Sequence, residues 1–195
     1  WKTLYWTVFF MSLLILSSIT AFGIGTWKIY VEKLPVISQL IADDWINVNG
    51  IQTSFYSTIR IMTGNESTAM IGQVILSIVV TALVCWVWKH IDNYFLKCSV
   101  LSTGVLLITP YILIYDLVML ALPIAFYSAY LLKNGYVTIE AVLLSICFVL
   151  PFLSPLVLQY TDIQITPFAL ILVLVCLFWR TRRDTTMVEA TANER

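Results

Sequence analysis

The sequence predicts an all-α integral membrane protein with about six transmembrane helices and one outer amphipathic helical segment. Hydrophobic residues make up 60% of the 195 residues, against about 45–50% in a soluble domain. Only 11% are charged, and the mean hydropathy is +0.90. The 11 basic and 11 acidic residues cancel. A nucleic-acid binder would need a basic excess, and a disordered chain would need low hydrophobicity with high net charge, so both classes are excluded.

The crossings are predicted from the length of the apolar stretches. A helix that crosses about 30 Å of hydrocarbon needs about 20 apolar residues. Stretches of this length, or somewhat shorter, lie at 4–25, 69–88, 96–111, 117–132, 140–157 and 165–179. The third and fourth belong to one run that is too long for one crossing. Pro110 interrupts this run because proline lacks a helix donor, and we expect a break on the outer side at Thr109-Pro-Tyr111.

The basic residues predict the orientation of the crossings. Arg180, Arg182 and Arg183 follow the last predicted crossing, and positive residues favour the cytoplasmic side. Alternating crossings then leave three of the 11 basic residues outside, namely Lys28, Lys33 and Arg60. We therefore expect a membrane domain over 1–184 and a cytoplasmic tail over 185–195.

The segment 26–68 is the one sizeable part outside the predicted crossings. Its first apolar residues recur at helical spacing, which predicts one or two short helices in the outer interface, the second beginning at Pro35. After Asn47-Val-Asn-Gly50, a further helix is predicted with Gln52, Tyr56 and Arg60 in line at i, i+4 and i+8. This helix could cap a cavity between membrane helices, or it could lie as an amphipathic helix on the lipid surface.

Asp116 is a carboxylate within an apolar stretch. Such a group costs several kcal/mol at membrane depth unless it meets water, a donor or a partner. Two compatible roles explain it. Asp116 could cap the helix that begins near Leu117, or it could line a polar cavity together with Tyr115. Capping also explains Asp162 in the next outer turn.

No motif in the sequence carries a catalytic or metal site by itself. The four cysteines lie in or at the ends of apolar segments, without a Cys-x-x-Cys pair, which favours small apolar packing roles over metal ligation or disulfides. Metal-ligand spacing, a glycine-rich phosphate loop and a nucleophile elbow are absent from the sequence. We therefore predict no metal and no cofactor.

Three stretches, taken in order, match the pattern of one family. Trp27-Lys-Ile-Tyr-Val-Glu-Lys-Leu-Pro35 is similar to its "W…F…SLP" entry into an outer segment, and Asn49–Gly64 to its "N-Q-S…A…R-L-L-G" helix, although Ile51 interrupts the Asn-Gln-Ser pattern. Thr109-Pro-Tyr111 with Tyr115-Asp-Leu-Val-Met-Leu120 is similar to its "(T/S)-P-Y…Y-D-L-V-L-L". Over residues 1 to about 130 the chain resembles the C-terminal half of glycosyltransferase family 87, membrane sugar transferases of the GT-C class.

The resemblance implies transfer of a hexosyl group, mannosyl by preference, from a polyprenyl-phosphate sugar to a lipid or glycan acceptor. It implies the extracytoplasmic face of a bacterial plasma membrane, with no nucleic acid among the partners. Gln52, Ser54 and Arg60 are then expected to contact phosphate or sugar, and Tyr115 and Asp116 to shape the pocket. The catalytic carboxylate of the family is expected in the first outer loop of an N-terminal half. We therefore expect this chain to be a fragment with an unknown catalytic base, inactive by itself.

Two other functions remain open from the residues alone. Half of a membrane transporter is one, because helices broken at prolines with an acidic residue at the break suit a substrate path. Substrate flux in vesicles that is lost in Asp116→Asn would support it. A non-catalytic membrane scaffold is the other, since the predicted crossings hold few polar residues. In that case Arg60→Ala and Asp116→Asn should leave cellular function intact.

Overall fold

The computed structural model describes residues 2–43, 52–161 and 163–193, and helices make up most of them. In chain order they are α1 Lys2–Asp43, α2 Phe55–Thr63, α3 Glu66–His90, α4 Tyr94–Ile108, the 3₁₀ helix η1 Ile114–Leu120, α5 Ala121–Asn134, α6 Thr138–Thr161 and α7 Thr166–Asn193. The described residues contain no strand, only an isolated bridge between Gln52 and Leu113. The predicted all-α class is confirmed. The segment Asn47–Gly50 and the predicted cap Asp162 lie outside the described residues.

The chain divides into two units, residues 1–48 and residues 49–195. The first unit is α1, which is interrupted at Gly23, where φ is 78° and ψ is 154°. Glycine adopts a positive φ without the Cβ clash of other residues. The helix then continues through Pro35, so the prediction that a second helix begins at Pro35 is wrong. Proline removes one hydrogen bond from a helix, but it does not force the chain to restart there.

Among the described residues, four helical stretches are long and apolar enough to cross a membrane: Tyr5–Val36, Glu66–His90, Ile114–Asn134 and Thr138–Thr161. Together they support an integral membrane protein. Helix α4 is apolar but shorter, with 15 residues. At 1.5 Å per residue it rises about 22 Å, which is less than the hydrocarbon thickness of about 30 Å. The count of six crossings stays a prediction.

Helix α4 lies at the centre of the second unit, where it packs against α3, α5 and α7. Helix α4 is apolar on all sides, and it buries one broad face, which includes Leu96, Val100, Leu106 and Leu107. Close contact with α3 occurs at Gly104, where an added Cβ would lie 2.9 Å from Val84 Cγ2 and 3.3 Å from Val80 Cγ1. A small residue here lets the two backbones approach each other.

The predicted break is confirmed, since the chain is non-helical between α4 and η1. Thr109 ends α4, and its hydroxyl donates back to the carbonyl of Val105 at 2.8 Å. Pro110 and Tyr111 follow in non-helical backbone, with a bend at Pro110, before η1 begins at Ile114. We call this end of the second unit the break end. It carries Tyr115 and Asp116 on the first turn of η1.

The opposite end of the second unit holds a buried ion pair that the sequence analysis did not predict. Arg180 Nη1 lies 3.3 Å from Glu140 Oε1, and Nη2 donates to the carbonyl of Gly135 at 3.0 Å. Glu140 also accepts from the Tyr127 hydroxyl at 2.8 Å and from the Val137 amide at 2.7 Å. These contacts attach α7 to the turn between α5 and α6.

Candidate functional site

The five site residues predicted from the sequence lie on two segments, 52–60 and 115–116, and the structure brings these segments together. The Thr53 amide donates to the carbonyl of Ile112 at 2.8 Å. Gln52 pairs with Leu113 in an isolated antiparallel bridge. The start of α2 therefore lies against the break, within the second unit.

Ser54 directly precedes the first residue of α2 and is buried. Its backbone is extended, with φ of −85° and ψ of 164°, and its hydroxyl accepts from the Ser57 amide at 3.1 Å. This is the arrangement of a helix N-cap. Gln52 precedes the cap and is not helical, so the predicted line of three residues on one helix is wrong. Only Tyr56 and Arg60 share a face of α2, because the helix begins after Ser54.

Gln73 on α3 connects three elements through its side-chain amide. Its Oε1 accepts from the Tyr56 amide at 3.0 Å. Its Nε2 donates to the carbonyls of Leu107 at 3.0 Å and Ile108 at 2.9 Å. Only 2% of Gln73 is exposed. The sequence analysis missed this residue, although an amide inside an apolar span is a signal of a specific role.

Gln164, just before α7, makes the corresponding connection to α6. Its Nε2 donates to the carbonyl of Gln52 at 2.6 Å, and its Oε1 accepts from the Ser154 hydroxyl at 2.6 Å. Thr166 then donates to Ser154 at 2.9 Å. We call the buried polar side chains at this end the polar layer: Gln52, Thr53, Ser54, Ser57, Thr58, Gln73, Ser154, Gln164 and Thr166.

One polar atom in this layer has no hydrogen-bond partner among the residues that the structure describes. Gln52 is 1% exposed, and its Oε1 accepts no hydrogen bond from the part of the chain that the structure describes. Leaving a buried carbonyl unsatisfied costs about 1–3 kcal/mol. This oxygen can therefore accept a hydrogen bond from a hydroxyl group that reaches the layer.

Arg60 is the cation of the site. Its Nη1 donates to the Tyr56 hydroxyl at 2.9 Å, and its Nη2 lies 3.6 Å from Glu66 Oε2, with 13% of the arginine side chain and 54% of the glutamate side chain exposed. The Tyr56 ring packs edge-on against Tyr111 at 5.5 Å between centroids. Burial raises the pKa of Tyr56 above its ordinary value of 10, and the Arg60 guanidinium opposes this shift. Tyr56 is therefore a protonated hydroxyl at neutral pH.

Asp116 is half-buried and occupies the first turn of η1. Its Oδ2 accepts from the Leu113 amide at 2.9 Å, and its own amide donates to the carbonyl of Leu113 at 2.9 Å. The predicted N-cap position is wrong, since Leu113 is the N-cap of η1, but the carboxylate does bind the N-cap amide. It does so from the third helical position, because the helix begins at Ile114 rather than near Leu117.

Tyr115 faces a different environment from Asp116. Its side chain is 65% exposed and lines a groove of about 490 Å³ between η1, α5 and α6. The groove is mostly apolar, with Phe148 and Phe152 among its lining residues, and Asp116 is not one of them. A tyrosine hydroxyl at the edge of an apolar groove suits a ligand with one polar and one apolar end.

The chemistry available in the described part of the site is that of amides, hydroxyls, the Arg60 guanidinium and the carboxylates of Glu66 and Asp116. Within that part of the chain no cluster of three or more His, Cys, Asp or Glu residues could hold a metal ion. The free cysteines are Cys85, Cys98, Cys147 and Cys176. The polar groups present can bind a phosphate and orient hydroxyl groups.

Comparison with known proteins gives one match. The family model of glycosyltransferase family 87 matches residues 1–110, which is more than half of the chain. The matched residues include Gln52, Ser54 and Arg60, whereas Tyr115 and Asp116 lie beyond them. No curated protein and no solved structure matches the chain.

Proposed function

The chain belongs to glycosyltransferase family 87, and on that basis we propose that it takes part in hexosyl transfer, mannosyl by preference, from a polyprenyl-phosphate sugar. The acceptor is a lipid or glycan at the extracytoplasmic face of a bacterial plasma membrane. One observation carries the proposal: the polar layer, with Arg60 and Asp116 beside it, lies at one end of long apolar helices. A lipid-linked donor would present its phosphate and sugar at such a boundary, with its chain in the bilayer.

Arg60 is proposed to bind the donor phosphate. One of its partners, Glu66, is more than half exposed and lies 3.6 Å away, so this carboxylate is solvated and only loosely held. A phosphate can replace the Glu66 carboxylate and accept two hydrogen bonds from a guanidinium. Tyr56 supports the arginine side chain from the buried side, because its hydroxyl accepts from Nη1. Positive charge here would stabilise the leaving phosphate in the transition state.

Asp116, Tyr115 and Gln52 are proposed to contact sugar or acceptor hydroxyls. Asp116 uses Oδ2 for the Leu113 amide, which leaves its second oxygen for a hydroxyl donor. Gln52 Oε1 would gain the hydrogen bond that it lacks within the described residues. Ser54 contributes through the cap that holds the first turn of α2. The catalytic base stays unassigned.

The proposal is tested by transfer assays in membranes from cells that express the complete reading frame containing this chain. The probe is labelled polyprenyl-phosphate mannose, with a lipid extract as acceptor, and the product is label in the glycolipid or glycan fraction. We expect Arg60→Gln to reduce transfer about a hundredfold, in line with the loss of one charged donor at a reacting centre. Glu66→Gln is the matched control, and we expect it to retain or raise transfer.

A second pair of variants tests Asp116. We expect Asp116→Asn to reduce transfer and Asp92→Asn to leave it unchanged, because Asp92 is exposed beyond the end of α3 that lies opposite the break. Equal transfer in wild type, Arg60→Gln and Asp116→Asn would contradict this site. Transfer from a nucleotide sugar instead would contradict the lipid-linked donor. Substrate flux in vesicles that Asp116→Asn abolishes would favour a transporter.

A further inference from the structure

Basic and apolar side chains lie together at the end of the second unit opposite the break, where α3 ends and α4 begins. The last turn of α3 reads Val87-Trp-Lys-His90, and tryptophan with lysine at the end of an apolar helix marks the headgroup level of a bilayer. The first turns of α4 carry Lys97. This end therefore presents cations at a membrane interface, well away from the polar layer.

Between α3 and α4 lies a groove of about 380 Å³ lined by Val84, Cys85, Trp88, Lys89 and Leu101. Four of these five side chains are apolar. Cys85 and Leu101 lie about one turn further into the helices than Lys89 and Lys97, so the groove runs from the cations towards the middle of the span. Trp88 is 45% exposed and forms part of the wall.

Two ammonium groups flank the mouth of this groove. Lys89 lines it directly, and Lys97 Nζ lies 5.8 Å from the centre of the Trp88 ring, a distance at which a cation is attracted to the ring face. Asp92 is the only acidic residue between positions 84 and 101, and it is exposed. The mouth of the groove therefore carries a net positive charge, and the rest of the groove is apolar.

We propose that this groove binds an anionic phospholipid of the surrounding bilayer, with its phosphate between Lys89 and Lys97 and an acyl chain along Val84, Cys85 and Leu101. The two features fit the two ends of such a lipid. Basic residues near the interface attract anionic headgroups, and the groove offers apolar surface to the chain. A free anion would use only the lysines, and a neutral lipid only the groove.

Native mass spectrometry of the purified full chain in a neutral detergent tests this proposal. The probes are phosphatidylglycerol, phosphatidylcholine with the same acyl chains, and inorganic phosphate. We expect phosphatidylglycerol to bind more tightly than the other two. Lys89→Gln with Lys97→Gln should weaken its binding about tenfold or more, from the loss of two interfacial cations. The charge-matched double variant Lys28→Gln with Lys33→Gln should bind it like wild type.

A groove-filling variant separates a lipid from a free anion. Cys85→Trp keeps both lysines but fills the groove with an indole ring. It should therefore weaken phosphatidylglycerol binding severalfold without changing phosphate binding. Leu101→Trp fills the same groove from α4. This variant is used in place of Cys85→Trp if Cys85→Trp fails to fold. Wild-type binding of phosphatidylglycerol in both filled variants would overturn the acyl-chain site. Equal binding of phosphatidylglycerol to wild type and to the Lys89 and Lys97 double variant would overturn the headgroup site.

Discussion

At the scale of single residues, amide side chains connect the elements of the candidate site. Gln73 and Gln164 each bind atoms of two other segments, and both are almost fully buried. An amide can donate and accept at once, so one glutamine can satisfy backbone groups that the break leaves without helical partners. These two residues place α2 and the start of α7 against the break.

Replacing Gln73 by leucine should destabilise the second unit. The change leaves the Tyr56 amide without its buried acceptor, at a cost of about 1–3 kcal/mol, and it removes the bonds to Leu107 and Ile108. A lower midpoint of thermal unfolding in detergent would show this loss. Gln159→Leu makes the same change at an exposed position on α6 and should leave the midpoint unchanged. Equal midpoints for the two variants would argue against a connecting role for Gln73.

The buried pair of Arg180 and Glu140 makes a second prediction at this scale. Removing one partner leaves an uncompensated buried charge, which costs about 3–5 kcal/mol. Arg180→Gln and Glu140→Gln should therefore each lower the free energy of unfolding more than the double variant does. Arg183→Gln, at an exposed position one helix turn further, serves as the control. Single-variant losses that add up in the double variant would show that the two charges do not interact.

At the scale of elements, short interruptions position the site more than the long helices do. Helix α2 has nine residues and lies against α3, which it contacts extensively. The break after α4 exposes backbone groups, and Thr53 and Gln52 pair with them. A continuous helix from α4 into α5 would have no free backbone groups at this point. The proline interruption therefore creates the place where α2 docks.

The contact between α3 and α4 can be tested at Gly104. A valine there would place carbon atoms against the stiff side chains of Val80 and Val84, and overpacking of this kind costs about 1–3 kcal/mol. We expect Gly104→Val to lower the thermal midpoint in detergent. Gly25→Val is the matched control, because an added Cβ at Gly25 meets open space. If the two valine variants were equally stable, close approach of α3 and α4 at Gly104 would not be required.

At the scale of the whole molecule, the predicted orientation is open to a labelling experiment. The turn at Tyr136 and the turn at Ile163 lie at opposite ends of α6, and both side chains are exposed. In a cysteine-free background, we expect Ile163→Cys in intact cells to react with a membrane-impermeant maleimide. Tyr136→Cys should react only after permeabilisation. Met62→Cys, exposed at the end of α2, should behave like Ile163→Cys, and reaction of all three in intact cells would contradict the orientation.

Local chemistry in the sequence was enough to predict the membrane class, the all-α fold and the break. A long apolar stretch predicts a helix that crosses the hydrocarbon, because a helix satisfies all its backbone N–H and C=O groups within one segment, without water. Pro110 predicts the end of α4, since proline cannot donate within a helix. The family resemblance rested on ordered motifs in the same way, and the match over residues 1–110 supports it. Each of these conclusions depends on neighbours along the chain.

Only the tertiary structure decided which polar residues meet. The hydrogen bond from Gln164 to Gln52 joins residues that are 112 positions apart, and that from Arg180 to Glu140 spans 40 positions. Spacing along one helix cannot predict such pairs, because they depend on how separate helices pack. The same reason explains why Gln52 is not on the helix that carries Tyr56 and Arg60. Its backbone pairs with Leu113 at the break, and the helix begins only after its N-cap, Ser54.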